Sequence, residues 1–229
     1  MTRPGFLSIT VVACLIGFAS AAACGCGFDP GLAAATLLLA LIAHAGGNVL
    51  NDYHDARSGA DAANTQGLFP FTGGSRLIQQ GVVSEAQTRQ LALALLLVLV
   101  PGGLWLAVRS GGGLLLIGLA GVGLAWAYSA PPLALMRRGL GEAAVALVWW
   151  LVVIGADYVQ RGRFFLIPAV VAVSYALLVA NILLVNGLPD AASDARTGKR
   201  TLAVRLGPAG AAGLYALIAL AAHLLVAVS

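Results

Sequence analysis

Seven apolar runs, each about 16 to 22 residues long and nearly free of charge, constrain this chain more than anything else in it. They fall at roughly 6–26, 31–50, 91–108, 111–130, 141–156, 164–185 and 209–228. About 20 residues of α-helix cross the hydrocarbon core of a bilayer. The runs are apolar around the whole helical turn, with no polar stripe, as lipid-facing or fully buried helices are. β-barrel alternation is absent, so a bundle of helices is the architecture that satisfies its own backbone in lipid. A mean hydropathy of +0.92 agrees. The expected fold class is all-α, a polytopic transmembrane bundle of about seven spans. The stretch SAAAC at 20–24 has the small-residue character of a cleavage site, but only Arg3 precedes the run, so it is read as a span. Cys14, Cys24 and Cys26 lie in or beside it. An odd count with one Cys-Gly-Cys pair is no disulfide framework, and small buried thiols are expected.

Basic residues set the orientation. With the N-terminus inside, the cytoplasmic segments hold Arg3, Arg57, Arg76, Arg89, Arg137, Arg138, Arg196, Lys199, Arg200 and Arg205. The other side holds only Arg109, Arg161 and Arg163. The acids divide the same way, with Asp52, Asp55, Asp61, Glu85, Glu142, Asp190 and Asp194 inside against Asp29 and Asp157 outside. Acidic residues contribute little to orientation, so their gathering on one face needs another cause. The expectation is an integral protein of a bacterial-type inner membrane with its chemistry on the cytoplasmic side.

Two of the longer cytoplasmic loops open alike. Asn51-Asp52-x-x-Asp55 follows the second span, and Asn186-x-x-x-Asp190-x-x-x-Asp194 follows the sixth. Polar groups four residues apart share one face of a helix, so each set is expected to line a helix that continues past the membrane surface. Pro189 is expected to bend the second of these helices. By the topology above, both clusters lie at the same depth and can face each other.

Carboxylates held close together repel unless a cation neutralises them. Hard oxygen donors without Cys or clustered His point to Mg²⁺ rather than zinc. Mg²⁺ typically uses only one or two protein carboxylates and completes its shell with water and substrate phosphate. Two facing clusters suit a diphosphate held between two ions, with basic groups such as Arg76, Arg137, Arg138, Lys199 and Arg200 on the same side. The plainer alternative is a pair of solvated helix ends neutralised by weak surface ion pairs. The matched spacing and depth of the two clusters favour the first reading.

NDYHDARSGAD (51–61) together with NGLPDAASDARTGKRTLAVRLG (186–207) resembles the paired aspartate motifs of the UbiA-type intramembrane aromatic prenyltransferases. The wording is most similar to the 1,4-dihydroxy-2-naphthoate polyprenyltransferase branch, which makes menaquinone precursors. FPFTGGSRLIQQGVVS (69–84) and YSAPPLALMRRGLGE (128–142) resemble the same branch, in order. The resemblance implies a helical bundle around a membrane-embedded cavity. It also implies Mg²⁺-assisted transfer of a prenyl group from a polyprenyl diphosphate to an aromatic acceptor. Carried over by motif, Asn51 and Asp55 hold one Mg²⁺, Asp190 and Asp194 the other, and Asp52 supports them. Asn186 joins the same polar face, and Arg76, Arg137, Arg138 and Lys199 are the candidates for diphosphate. Membrane lipid is the expected surrounding, no nucleic-acid partner is expected, and oligomeric state is open.

The family's third aspartate in each motif is replaced by Gly59 and Gly198, with Asp61 the candidate stand-in for the first. The family usually has nine spans, so the chain is expected to be one UbiA-like domain, 1–229, lacking the last two helices. Gly46 and Gly47 are expected to let another helix approach. Trp126, Tyr128, Trp149 and Trp150 either face a cavity, where their rings stabilise cationic charge, or anchor the membrane interface. His44 and His223 lie inside spans and are expected to be hydrogen-bonded packing residues. His54 is expected to face away from the metal candidates. Among other functions, a transporter places ionisable groups near the bilayer midplane, whereas these spans are nearly empty of charge. A scaffold gives no reason for two matched clusters. Within the enzyme class, 4-hydroxybenzoate, homogentisate or a chlorophyllide-like alcohol are the alternative acceptors.

Overall fold

A computed structural model describes residues 1–25, 27–65, 67–68 and 71–228. Each apolar run becomes one helix: α1 (Pro4–Ala23), α2 (Pro30–Arg57), α4 (Glu85–Ser110), α5 (Gly113–Ser129), α6 (Gly141–Arg161), α7 (Leu166–Arg196) and α8 (Leu202–Val228). A single turn, α3 (Ala60–Ala63), and a 3₁₀ turn at Leu135–Arg138 lie between them. No strand occurs among the described residues. All of these helices except α3 and the 17-residue α5 are long and apolar enough to cross a membrane.

The helices outrun the apolar segments that signal them. α2 continues past Leu50 to Arg57, and α7 runs through Pro189 to Arg196. Backbone hydrogen bonding propagates beyond the lipid, because each added residue in a formed helix gains one bond. Local chemistry sets several ends. Asp29 caps α2 by accepting from the Leu32 N–H at 3.0 Å, and Pro30 begins the helix. Ser84 and Gln87 form a capping box at the start of α4.

α6 occupies the centre, with 56% of its apolar window buried, whereas α8 lies at the edge with 11%. Ala13, Trp149, Val153, Ala172, Ala176 and Val179 knit α1, α6 and α7 together. Cys14, Phe18, Ala33 and Ala156 join α1 and α2 to α6. Val49, Leu50 and Ala92 join α2 to α4. Large apolar side chains such as Val108, Leu116, Leu166 and Leu217 point outward, as a bundle solvated by lipid requires. Cys14 is a buried thiol, as expected. Cys24 is instead exposed at the end of α1, and Cys26 lies outside the described residues.

Small residues permit the closest helix approaches. A Cβ on Gly17 would lie 2.4 Å from the Val153 carbonyl oxygen and 2.7 Å from the Ala156 Cβ. Gly17→Val is therefore expected to destabilise the α1–α6 contact by about 1–3 kcal/mol, from overpacking. Thermal unfolding in detergent checks this, with Gly5→Val, where nothing lies within 4 Å, as the neutral control. Equal midpoints for the two variants would show that α1 and α6 do not pack this closely. Gly46 behaves as expected, since a Cβ there would lie 3.3 Å from Leu95 and Leu96 of α4, but Gly47 opens onto a cavity instead.

Candidate active site

The C-terminal turns of α2 and α7 line one cavity at the same end of the bundle. On α2, Asn51 and Asp55 lie one turn apart, and the Asn51 amide donates to Asp55 Oδ2 at 3.2 Å. The same amide reaches Ser129 Oγ at the end of α5, also at 3.2 Å. Its Oδ1 accepts from Arg3 Nη2 at 3.0 Å, so both ends of Asn51 are fixed. Asp52 takes a different direction. It is 1% exposed and pairs with the same Arg3 nitrogen at 2.7 Å, away from the cavity lining.

On α7, Asn186, Asp190 and Asp194 all line the cavity that Asn51 and Asp55 line. Lys199 connects the two motifs. Its Nζ lies 3.4 Å from Asp55 Oδ2 and 3.5 Å from Asp194 Oδ1. Burial by itself would lower the Lys199 pKa, but the charges of Asp55 and Asp194 outweigh it and hold the group above its usual range. It is a firmly protonated ammonium between two acids. Asp190 is engaged from the other side, where Asn64 Nδ2 donates to Oδ1 at 2.7 Å and the Gly73 N–H donates to Oδ2 at 3.1 Å.

Asp61, carried by α3, completes the acidic end. It is buried, and burial followed by the charges of Asp55 and Asp52 pushes its carboxyl up to about 7. Gly74 brings the loop backbone against it, since a Cβ there would lie 2.7 Å from Asp61 Oδ2. Beyond this end the cavity encloses about 650 Å³, and its walls run along α4 and α5 through Leu96, Val100, Leu104, Leu119 and Val122. Tyr128 and Trp149 also line it. Trp126 is half-exposed, and Trp150 donates to the Ala169 carbonyl at 2.8 Å.

The structure thus brings Asn51, Asp55, Asn186, Asp190, Asp194 and Lys199 together around one cavity and leaves Asp52, Arg76, Arg137 and Arg138 outside its lining. Arg76 closes on the Asn64 carbonyl. Arg137 donates to the Thr197 carbonyl at 3.0 Å and borders a separate cavity of about 230 Å³, shared with His54, Arg57 and the outer side of Asp55. Arg138 is exposed and donates to the Pro132 carbonyl at 2.7 Å. His44 shares a 2.8 Å hydrogen bond with Thr10 and meets Trp149 edge-on at 4.9 Å, on the cavity wall. His223 is exposed and donates to the Ala219 carbonyl one turn back.

Among the lining residues that the sequence did not mark as site candidates are Arg3, Asn64, Gly73 and Glu142. Arg3 and Glu142 read only as charges on one face, and Asn64 and Gly73 sit in a loop without periodicity.

No group of three or more His, Cys, Asp or Glu side chains among the described residues is placed to hold a metal ion by itself. A hard cation bound through one or two carboxylates, with water and phosphate completing the shell, needs no such cage. The acidic end offers oxygen donors, and burial together with the charges of Asp55 and Asp52 raises the Asp61 carboxyl to about 7, a repulsion that a divalent ion would offset. The donor set therefore fits a magnesium-type ion and not a thiolate or imidazole site.

Comparison with known proteins identifies the family. The model of the UbiA prenyltransferase family matches residues 10–229. The chain is 32% identical to a 1,4-dihydroxy-2-naphthoate octaprenyltransferase of Mycobacterium leprae, covering 84% of this chain and 63% of that protein. It is also 32% identical to the Escherichia coli protein of that name, covering 93% and 70%. Identity to the Mycobacterium tuberculosis protein of that name is 35%, covering 74% and 56%. The chain therefore spans between about half and seven tenths of the length of these relatives. With a helical bundle, two facing Asn/Asp clusters and a family match over nearly its full length, the chain belongs to the UbiA prenyltransferase family.

Proposed function

We propose that this protein transfers a prenyl group from a polyprenyl diphosphate to an aromatic acceptor, with Mg²⁺ and at the cytoplasmic face of the membrane. The acceptor favoured is 1,4-dihydroxy-2-naphthoate, the compound in the names of these relatives, and the product would then be a menaquinone precursor. One observation carries the reading: acids from two distant motifs share a single ammonium at the polar end of a long apolar cavity.

Asn51 and Asp55 would hold one Mg²⁺ and Asp190 and Asp194 the other, with Asp61 close by. When bound, the ions supply Lewis-acid assistance to departure of the diphosphate. Lys199 meets the charge of that leaving group, while Asn186 contributes a neutral polar contact. Arg76, Arg137 and Arg138 order the surrounding loops, and their charge adds to the field that draws an anion to this face. The C–O bond between the prenyl C1 and diphosphate breaks with its electron pair going to oxygen. A ring carbon of the acceptor then bonds to C1, and its C–H or C–carboxylate bond breaks, releasing a proton or CO₂ while the electron pair of that bond returns to the ring and restores aromaticity. Until it does, the allylic cation must be kept from water. The apolar walls exclude water, and the ring faces of Tyr128 and Trp149 stabilise positive charge.

The test is prenyl transfer by the purified protein in detergent, with geranyl diphosphate, Mg²⁺ or EDTA, and either 1,4-dihydroxy-2-naphthoate or 4-hydroxybenzoate. Product with the naphthoate, lost in EDTA, is expected. Product only with 4-hydroxybenzoate would keep the chemistry and reassign the acceptor. Absence of product with both would overturn the reading for this chain.

A further inference from the structure

Asp190 differs from its neighbours in where its oxygens go. Asp55 and Asp194 contact Lys199, whereas both oxygens of Asp190 accept from the loop that follows α3. A carboxylate has about four lone-pair directions, so two filled ones fix the plane of Asp190 and leave the others for a further partner in the cavity it lines. The shorter bond comes from Asn64.

Asn64 is itself held on every side. It is 3% exposed. Its backbone N–H donates to the Asp61 carbonyl at 3.3 Å, and its backbone carbonyl accepts from Arg76. Its side-chain amide packs within its own loop, where a Cβ on Gly67 or on Gly73 would come within 3.2 Å of Nδ2. Both positions are glycine, and Gly73 has φ 80°. The loop is thus shaped around this amide, and the amide points at an acid of the site.

We infer that Asn64 is a positioning residue, fixing the Asp190 carboxylate toward the cavity and tying Gly73 of its own loop to α7 through that carboxylate. Asn suits the task for a chemical reason. Its NH₂ donates to a carboxylate, whereas alanine leaves that oxygen unmatched and aspartate repels it. Partners that orient a ligand in this way are typically worth about 10- to 100-fold in affinity or activity. Arg76 belongs to the same chain of contacts and acts through Asn64.

The kinetic half of this inference rests on the proposed prenyl transfer; the structural half does not. Hydrogen–deuterium exchange of the peptide carrying Gly73 tests the structural half in detergent. Asn64→Ala is expected to speed exchange there about ten-fold or more, as loss of a hydrogen-bonded charged partner implies, while α2 and α7 peptides keep wild-type protection. The exchanged pair Asn64→Asp with Asp190→Asn restores a donor facing an acceptor and leaves Oδ1 of residue 190 for Gly73. It is expected to recover most of the protection. In turnover assays Asn64→Ala should lower kcat about 10- to 100-fold with the acceptor KM unchanged. Wild-type exchange in Asn64→Ala, or no recovery in the exchanged pair, would overturn the contact. Unchanged kcat would overturn the positioning role. A wild-type protein without turnover would sink the prenyl-transfer reading, and exchange would still decide the Asn64–Asp190 contact.

Discussion

Asp55→Ala is expected to lower product formation by roughly 100- to 1,000-fold, the scale on which loss of one preorganised electrostatic partner is felt. The protein should still reach the membrane fraction and purify at normal yield. Asp55 is the acid on which most of the site converges: it accepts from Asn51 and Lys199, and it adjoins both cavities. Its removal also relieves repulsion, because its charge is one of those that raise Asp61. The two effects oppose each other in stability, so the fold survives while the chemistry does not. Asp55→Asn keeps the shape and loses the charge, and it should fall with the alanine variant. Turnover near wild type in either one would end the assignment of Asp55 to the metal.

Lys199→Met is expected to cost both activity and stability. The ammonium is the shared partner of Asp55 and Asp194, and those side chains are only 12% and 7% exposed. Removing one member of a buried ion pair typically costs about 3–5 kcal/mol, since the partner charge stays buried and unmatched. In EDTA the midpoint of thermal unfolding should drop by several degrees, and Mg²⁺ with inorganic pyrophosphate should return part of it. The loss should also depend on pH. The folded-state pKa of Asp61 is about 7, above its ordinary 3.8, so this carboxyl costs stability as pH rises from about 4 to about 7. Once ionised it adds a further negative charge to an end that has lost its cation. The variant should therefore lie further below wild type at pH 8 than at pH 6. A midpoint equal to wild type at both values would show that Lys199 does not neutralise the two motifs.

The helical class and the seven apolar segments were legible in the sequence because burial in lipid is a one-dimensional property of about 20 consecutive residues. The pairing of Asn51 with Asp55 was legible for a similar reason, since neighbours four residues apart on a helix meet whatever surrounds them. Spacing could also bring Asn186, Asp190 and Asp194 onto one face, and all three line the cavity. Spacing could not say which way the adjacent Asp52 would turn. That residue pairs with Arg3, from a segment 49 positions away, and stays out of the cavity lining that its partner joins.

The sequence by itself determined that this chain crosses a membrane as helices and carries two acidic clusters at helix ends, because both follow from local composition and helical period. The tertiary structure alone decided which groups face one another. Lys199 lies between Asp55 and Asp194, Asn64 holds Asp190, and Arg76 and Arg137 grip loop carbonyls. Each of these contacts joins segments whose approach depends on how the helices rotate and how closely they pack. Such approach is set at sites like Gly17 and Gly46, where only a missing side chain lets two helices touch.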